Sequence, residues 1–228
     1  IDTYRHDGVV CLRHRFDHDW IDLLAEGIDA NFHDPSPLFA DNPSPDGKGH
    51  YWEDTWVWKR FPQFERFVRE SPAAGIAAGL MAARRINYIM DVWLTREAGT
   101  IARAPWHHDI SYLDLEGTFC TLWLPLDRVD KASCISFVRG SHLWNKLFLR
   151  VWFIHHQVDG EPGWVNGHYY EPPPDIDNHP EDYDIVSFDM EPGDCLVFDL
   201  RTVHGFPKDV LPTRTVRRFT LRMAAEDG

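Results

Sequence analysis

Apolar positions recur along the chain with two different periods, and the change falls near residue 86. Between Asp17 and Phe32 the residues Trp20, Leu23, Leu24, Ile28 and Phe32 fall at helical spacing, with Asp17 or Asp19 as the cap. Phe64, Phe67 and Val68 predict a short helix that stops before Pro72. Ser71-Pro72 then reads as an N-cap followed by proline at the first helical position, opening a second helix through the alanine-rich stretch Ala73–Ala83. Asp34–Gly49 is dense in Pro, Asp, Asn and Gly and predicts a loop. After Arg85 the pattern shortens. Asn87–Thr95, Gly117–Leu124, Cys134–Val138, Asp194–Leu200 and Arg217–Met223 are rich in Val, Ile, Phe, Trp and Thr and are punctuated by Gly, Pro and Asp, which predicts strands. The expected architecture is mainly β with flanking α: an antiparallel sandwich or jelly roll behind a helical region. One domain over 1–228 is expected, with a helical part over 1–86 and the β core over 87–228. Residues 152–183 carry many Pro, Asp, His and aromatic residues without a period, and predict a loop insertion over one end of the barrel.

Composition narrows the functions. Acidic residues outnumber basic ones, and the formal net charge of −13 opposes a general nucleic-acid or membrane-surface role. The apolar run Leu147–Ile154 is too short to span a membrane and carries Arg150, and no signal-peptide pattern opens the sequence. The chain begins on Ile1 rather than Met, which leaves room for residues ahead of it. Cys11, Cys120, Cys134 and Cys195 are widely spaced, without CxxC, and fit neither a zinc ribbon nor a disulfide framework; a reduced, cytoplasmic setting is expected. Thirteen histidines raise the prospect of a metal site without locating it.

Pro105-Trp106-His107-His108-Asp109 is the densest chemical signal. In an extended chain residues two apart share a face, so His107 and Asp109 point one way and His108 the other. A histidine and a carboxylate make half of a chelate, and such pairs also arise without a metal. The best downstream candidate for a third ligand is His204, just beyond the apolar strand that follows Glu191-Pro192-Gly193-Asp194 and directly before Gly205. Two imidazoles and one carboxylate on one face of a metal leave the other positions open, as in the facial triad of non-haem iron(II) oxygenases. A bidentate 2-oxo acid and dioxygen can occupy those positions. The carboxylate of Asp109 favours hydroxylation over halogenation.

These residues, with others in order along the chain, resemble the phytanoyl-CoA dioxygenase family of iron(II)/2-oxoglutarate oxygenases. The similarity runs from Tyr4-Arg5-His6-Asp7-Gly8-Val9-Val10 to Arg217–Met223. Pro105–Asp109 resembles the family's proximal ligand motif. Leu122-Trp123-Leu124-Pro125-Leu126 resembles a core strand, and Phe137-Val138-Arg139-Gly140-Ser141-His142 resembles the family's FVPGSH turn. Glu191–Asp194 with Val203-His204-Gly205 resembles the distal ligand region. The resemblance implies a double-stranded β-helix, with His107, Asp109 and His204 as ligands of Fe(II) and Trp123 close to 2-oxoglutarate. It further implies that dioxygen and 2-oxoglutarate are consumed, with release of succinate and CO2 and hydroxylation of an unactivated C–H bond in a small organic substrate.

The far carboxylate of 2-oxoglutarate calls for a cation, and arginine matches it bidentately. Aligned on the family's pattern, Val216 stands where the arginine is expected. Strand alternation puts Arg214, Val216, Arg218, Thr220 and Arg222 on one face and Arg217, Phe219, Leu221 and Met223 on the other. Arg218 is the favoured replacement, followed by Arg214 and then Arg217, while at least two of the four arginines are expected to pair with surface acids. His108 stands where the family has glutamine, and Ser133-Cys134 where it often has Asn-Gly. His142 is expected to be a structural hydrogen-bonding residue, and His155 and His156 to be solvated loop residues. Trp52, Trp56, Trp58, Trp106, Tyr112, Trp152 and Trp164 are candidates for a cleft or for the core. Lys59 and Arg96 are candidates for an anion contact or for ordinary structural charges. Two other readings stay open: a cupin-like enzyme using zinc or manganese at the same ligands, and a barrel that binds metal but has lost 2-oxoglutarate turnover. The oligomeric state is not legible.

Overall fold

The computed structural model describes residues 1–113, 115–153 and 156–228, so the expectation for His155 lies outside the described residues. In chain order the first part comprises α1 (Asp2–Asp7), β1 (Val9–Leu12), α2 (His18–His33), β2 (Ala40–Pro43), β3 (His50–Thr55), α3 (Pro62–Glu70) and α4 (Ala73–Met81). The core strands follow as β4 (Asn87–Arg96), β5 (Phe119–Pro125) and β6 (Ser136–Val138). Then come the short strands β7 (Leu147–Phe148), β8 (Val151–Trp152), β9 (Gln157–Val158), β10 (Gly163–Val165) and β11 (His168–Glu171). The chain closes with β12 (Ile185–Val186), β13 (Cys195–Asp199), β14 (His204–Gly205) and β15 (Val216–Ala224).

A seven-stranded sheet in the order β1-β13-β5-β15-β4-β3-β2 faces a small sheet in the order β12-β6-β14. Both are antiparallel, giving a jelly-roll architecture whose sheets do not close into one another. The region expected to be helical thus also contributes three strands, and β2 lies inside the segment expected to be a loop. The 152–183 insertion is likewise not plain loop: β8 pairs antiparallel with β9, and β11 pairs antiparallel with β10 and parallel with β7.

Alternation along β15 divides the two faces. Phe219, Leu221 and Met223 join α2, α3 and α4 in the largest apolar core. Phe64 stacks on Phe219 with ring centroids 5.2 Å apart, and Phe67 meets the same ring edge-on at 5.4 Å. The close approach of α2 and α3 depends on Gly27, where an added Cβ would lie 2.7 Å from the Phe64 ring. Ser71 Oγ accepts from the Ala73 N–H at the start of α4. No helix among the described residues is long and apolar enough to cross a membrane.

The opposite face of the large sheet is arranged in rows, because residues paired across antiparallel strands project to the same side. One row runs Tyr51–Arg96–Val216 and the next Glu53–Leu94–Arg218. Then come Thr55–Val92–Thr220–Trp123 and Met90–Arg222–Thr121–Phe198. Three of these rows lie under the cavity described next.

Candidate metal centre

His107 and His204 sit opposite each other in a single antiparallel bridge. Each backbone N–H donates to the other's carbonyl, at 2.9 and 2.8 Å. Within each residue Nδ1 lies against the carbonyl two positions back: Pro105 O at 2.7 Å for His107 and Thr202 O at 2.8 Å for His204. A carbonyl can only accept, so Nδ1 carries the proton and Nε2 presents a lone pair. Both Nε2 atoms face one oxygen of Asp109, at 3.6 and 3.8 Å. The extended backbone of His108 keeps His107 and Asp109 on one side, as read from the sequence, and the chain turns immediately afterwards into a 3-10 turn over Asp109–Tyr112. All three residues are buried, and their ligand atoms lie within 4.8 Å of one another.

Electrostatics prepares Asp109 and His204 for a cation. Burial pushes the Asp109 carboxyl up, but Arg222, His107 and His204 outweigh it and hold it well below the usual carboxylate range. Burial, with His107 alongside, pushes His204 down to about 3, so its imidazole is neutral at ordinary pH. Two imidazoles that turn Nε2 inward and one ionised carboxylate are the donor set a divalent iron ion takes. The phenyl rings of Phe198 and Phe137 pack on His204, with centroids 4.6 and 5.7 Å away.

Arg222 was placed on the inward face by alternation, but its role was not foreseen. Its Nε and Nη2 donate to the two Asp109 oxygens at 3.1 and 3.0 Å, while Thr121 Oγ1 donates to Oδ2 at 2.7 Å. This fork fixes the carboxylate plane and leaves Oδ1 turned toward the imidazoles.

The cluster lies in a cavity of about 440 Å³ with mostly apolar walls. Arg218 lines it, 2 % exposed, between the rings of Tyr51, Trp123 and Phe206, and donates from Nη2 to Tyr51 Oη at 2.6 Å. Among the described residues no carboxylate comes within ion-pair distance of it. Trp123 also lines the cavity. Arg214 does not: it is half-exposed beside Asp130, at 3.8 Å. The loop before β15 carries it away from the row that Arg218 occupies. Arg217 points outward to Asp127, at 2.9 Å. Arg96 is buried against Phe206 and donates to the carbonyls of Thr100, Ala102 and Val210, holding the chain beyond β4 rather than lining the cavity.

The other candidates divide cleanly. Tyr112 and Trp152 line the cavity, as does Phe153, which packs on His107 at 4.9 Å. Trp106 is core and donates to Asp177, Trp164 is 75 % exposed on its ribbon, and Lys59 lies over Trp58 at the surface. His108 is buried on the far side, where its Nε2 accepts from Phe148 N–H at 3.0 Å and burial pushes it down to about 4. His142 donates from Nε2 to Arg5 O at 3.1 Å, a structural contact. Behind His204, the Gly8 carbonyl accepts from Asp199 N–H at 2.9 Å and from Thr202 Oγ1 at 2.8 Å, which ties the segment between α1 and β1 to the distal histidine.

The profile of the phytanoyl-CoA dioxygenase (PhyH) family matches residues 4–206. No curated protein sequence matches the chain. Among solved structures, the epimerase SnoN, crystallised with Fe3+, alpha-ketoglutarate and nogalamycin RO, superposes with a TM-score of 0.71 at 18% identity, covering 98% of this chain and 81% of its own. AviO1 from Streptomyces viridochromogenes Tue57 superposes with a TM-score of 0.69 at 20% identity, covering 99% and 93%. EctD from S. alaskensis, in its apo form, superposes with a TM-score of 0.70 at 14% identity, covering 98% and 75%. At these identities the likeness establishes the fold.

Proposed function

Because the chain belongs to the phytanoyl-CoA dioxygenase family, we propose that it is an iron(II)- and 2-oxoglutarate-dependent dioxygenase that hydroxylates an unactivated C–H bond of a small organic molecule. The observation that carries this reading is the coexistence, in one cavity, of the His107–Asp109–His204 cluster and a buried guanidinium, Arg218, with no carboxylate of its own. An unpaired buried charge is costly, so a site that keeps one is built for an anion that arrives from outside.

His107, Asp109 and His204 would hold the metal, with Arg222 and Thr121 keeping the Asp109 carboxylate in plane. When bound, the metal and its 2-oxo acid supply the activation of dioxygen, with succinate and CO2 as the fate of the 2-oxo acid. Arg218, aligned by Tyr51, would take the distal carboxylate, and the indole of Trp123 would flank the cosubstrate chain. Tyr112 and Phe153 pack edge-on against His107 and Trp152 lines the same cavity, so that the three would orient the substrate and exclude water. The neighbouring SnoN is an epimerase, so the outcome at carbon is the part of this reading that turnover must decide.

The test is anaerobic loading with iron(II) followed by titration of 2-oxoglutarate, watching the weak visible charge-transfer band of the chelate. A saturating band is expected. Arg218→Ala should raise the half-saturating concentration by roughly tenfold or more, the scale of a lost charge-assisted contact, and Arg214→Ala should leave it unchanged. Bound iron without a band would overturn the reading.

A further inference from the structure

The cavity contains an acid that the metal cluster does not use. Glu53 of β3 projects inward on the row that ends at Arg218 and lines the cavity wall. Among the described residues nothing hydrogen-bonds to its carboxylate and no basic group lies within ion-pair distance of it. Burial pushes its pKa up, against the pull of Arg218 and Arg222. Both act on it only from beyond ion-pair distance. Arg222 is committed to both oxygens of Asp109, and the guanidinium of Arg218 is turned to Tyr51 Oη, where the distal carboxylate is proposed to bind.

A carboxyl facing a largely apolar cavity without a partner either takes up a proton or meets a ligand that brings the opposite charge, and a charged ligand favours the second. Its surroundings suit a cation. The aromatic groups of Tyr51, Tyr112, Trp152 and Phe153 line the same space, and aromatic faces attract positive charge. Asn42 and Thr55, on β2 and β3, offer neutral polar contacts on the same wall. The two sides of the cavity therefore ask for opposite charges: Arg218 for an anion, Glu53 for a cation.

We propose that Glu53 is the docking point for a protonated nitrogen, so that the substrates are amines whose carbon skeleton lies between the β2–β3 edge and the His–Asp–His cluster. The inference rests on the oxygenase reading for the reaction performed, but the binding site is a property of the metal-free protein as well.

The test uses calorimetric titration of the full chain with phenethylamine, tryptamine and cyclohexylamine, each beside its neutral N-acetyl derivative. At least one amine should bind roughly tenfold or more tighter than its acetylated partner. Glu53→Gln should erase that preference, and Glu53→Asp should retain part of it. A thermal melt establishes that each variant is folded. If no amine is preferred, or if the preference survives in folded Glu53→Gln, the proposal is overturned. The iron–2-oxoglutarate band, recorded on the unaltered protein, separates the two claims. A missing band with an intact, Glu53-dependent amine preference overturns the oxygenase reading and supports the amine site. A normal band without amine preference overturns the amine site alone.

Discussion

His107 and His204 exchange both of their backbone hydrogen bonds, and the residue after His204 has no room for a side chain. A Cβ on Gly205 would lie 2.8 Å from Pro105 O and 2.8 Å from Trp106 Cα. These are backbone atoms of the segment that carries His107, so the two histidine-bearing strands would have to separate. Gly205→Ala is expected to cost about 1–3 kcal/mol of stability. It should also weaken metal binding by roughly tenfold or more, read by cobalt(II) titration; unchanged affinity would show that the bridge tolerates a wider spacing.

Arg222 acts on the metal site through Asp109. Without the guanidinium the Asp109 carboxyl, which burial alone would push up, should be protonated at higher pH. Arg222→Gln is expected to weaken iron(II) binding by about 10–100-fold, as loss of a ligand's supporting partner does elsewhere. The pH midpoint of binding should move upward. Tighter binding in the variant would mean that the guanidinium competes with the metal instead of preparing its ligand.

Tyr51 holds Arg218 by one hydrogen bond and one ring face. Tyr51→Phe keeps the ring and removes the acceptor. A loss of about 1 kcal/mol, roughly fivefold in the half-saturating 2-oxoglutarate concentration, is expected, with little change in kcat.

Acid should destabilise the metal-free protein in a defined window. His108 and His204 are held neutral down to about 4 and about 3, whereas an unfolded histidine titrates near 6.5. Between those values the unfolded chain binds protons that the native state refuses, so stability falls as pH falls. The slope is about 1.4 kcal/mol per pH unit for each excluded proton. Denaturant melts from pH 7 to pH 4 measure it. His108→Gln, which keeps an acceptor for the Phe148 N–H, should remove one proton's share of the slope.

The outer face of β15 carries stability independently of the site. Phe219 is fully buried between Phe64 and Phe67. Phe219→Ala should cost about 3–5 kcal/mol in denaturant unfolding. Metal affinity of the folded fraction should be unchanged, because the side chain points away from the cavity.

The elements legible in the sequence were those with one apolar face. β4, β5, β13 and β15 pack such a face under the helices, and α2 was visible for the same reason. β3 was not legible because neither of its faces is simply apolar. Glu53 and Thr55 look into the cavity, while outward-facing Asp54 is satisfied by Asn31, by Ser36 and by the Thr55 N–H. The ribbons over 151–171 are strands of two to four residues, too short to show a period. The His–Asp pair and the distal histidine stood out by residue type, and alternation placed Arg218 on the inner face. Arg222 was on that face too, but its partner Asp109 lies 113 residues away, and no local pattern joins the two.

The contact between Gly8 and the loop that leads into His204 bears on when the site comes into being. Val9 pairs with Phe198, so β1 adds to β13 across most of the chain's length, and the Thr202 carbonyl that orients His204 belongs to a residue held by Gly8. Contacts so distant in sequence slow folding, because the chain entropy of closing them is lost before their enthalpy is gained. The arrangement of imidazoles is therefore complete only once the two ends of the chain have paired. An ion that bound this arrangement and not the unfolded chain would deepen the native well by mass action.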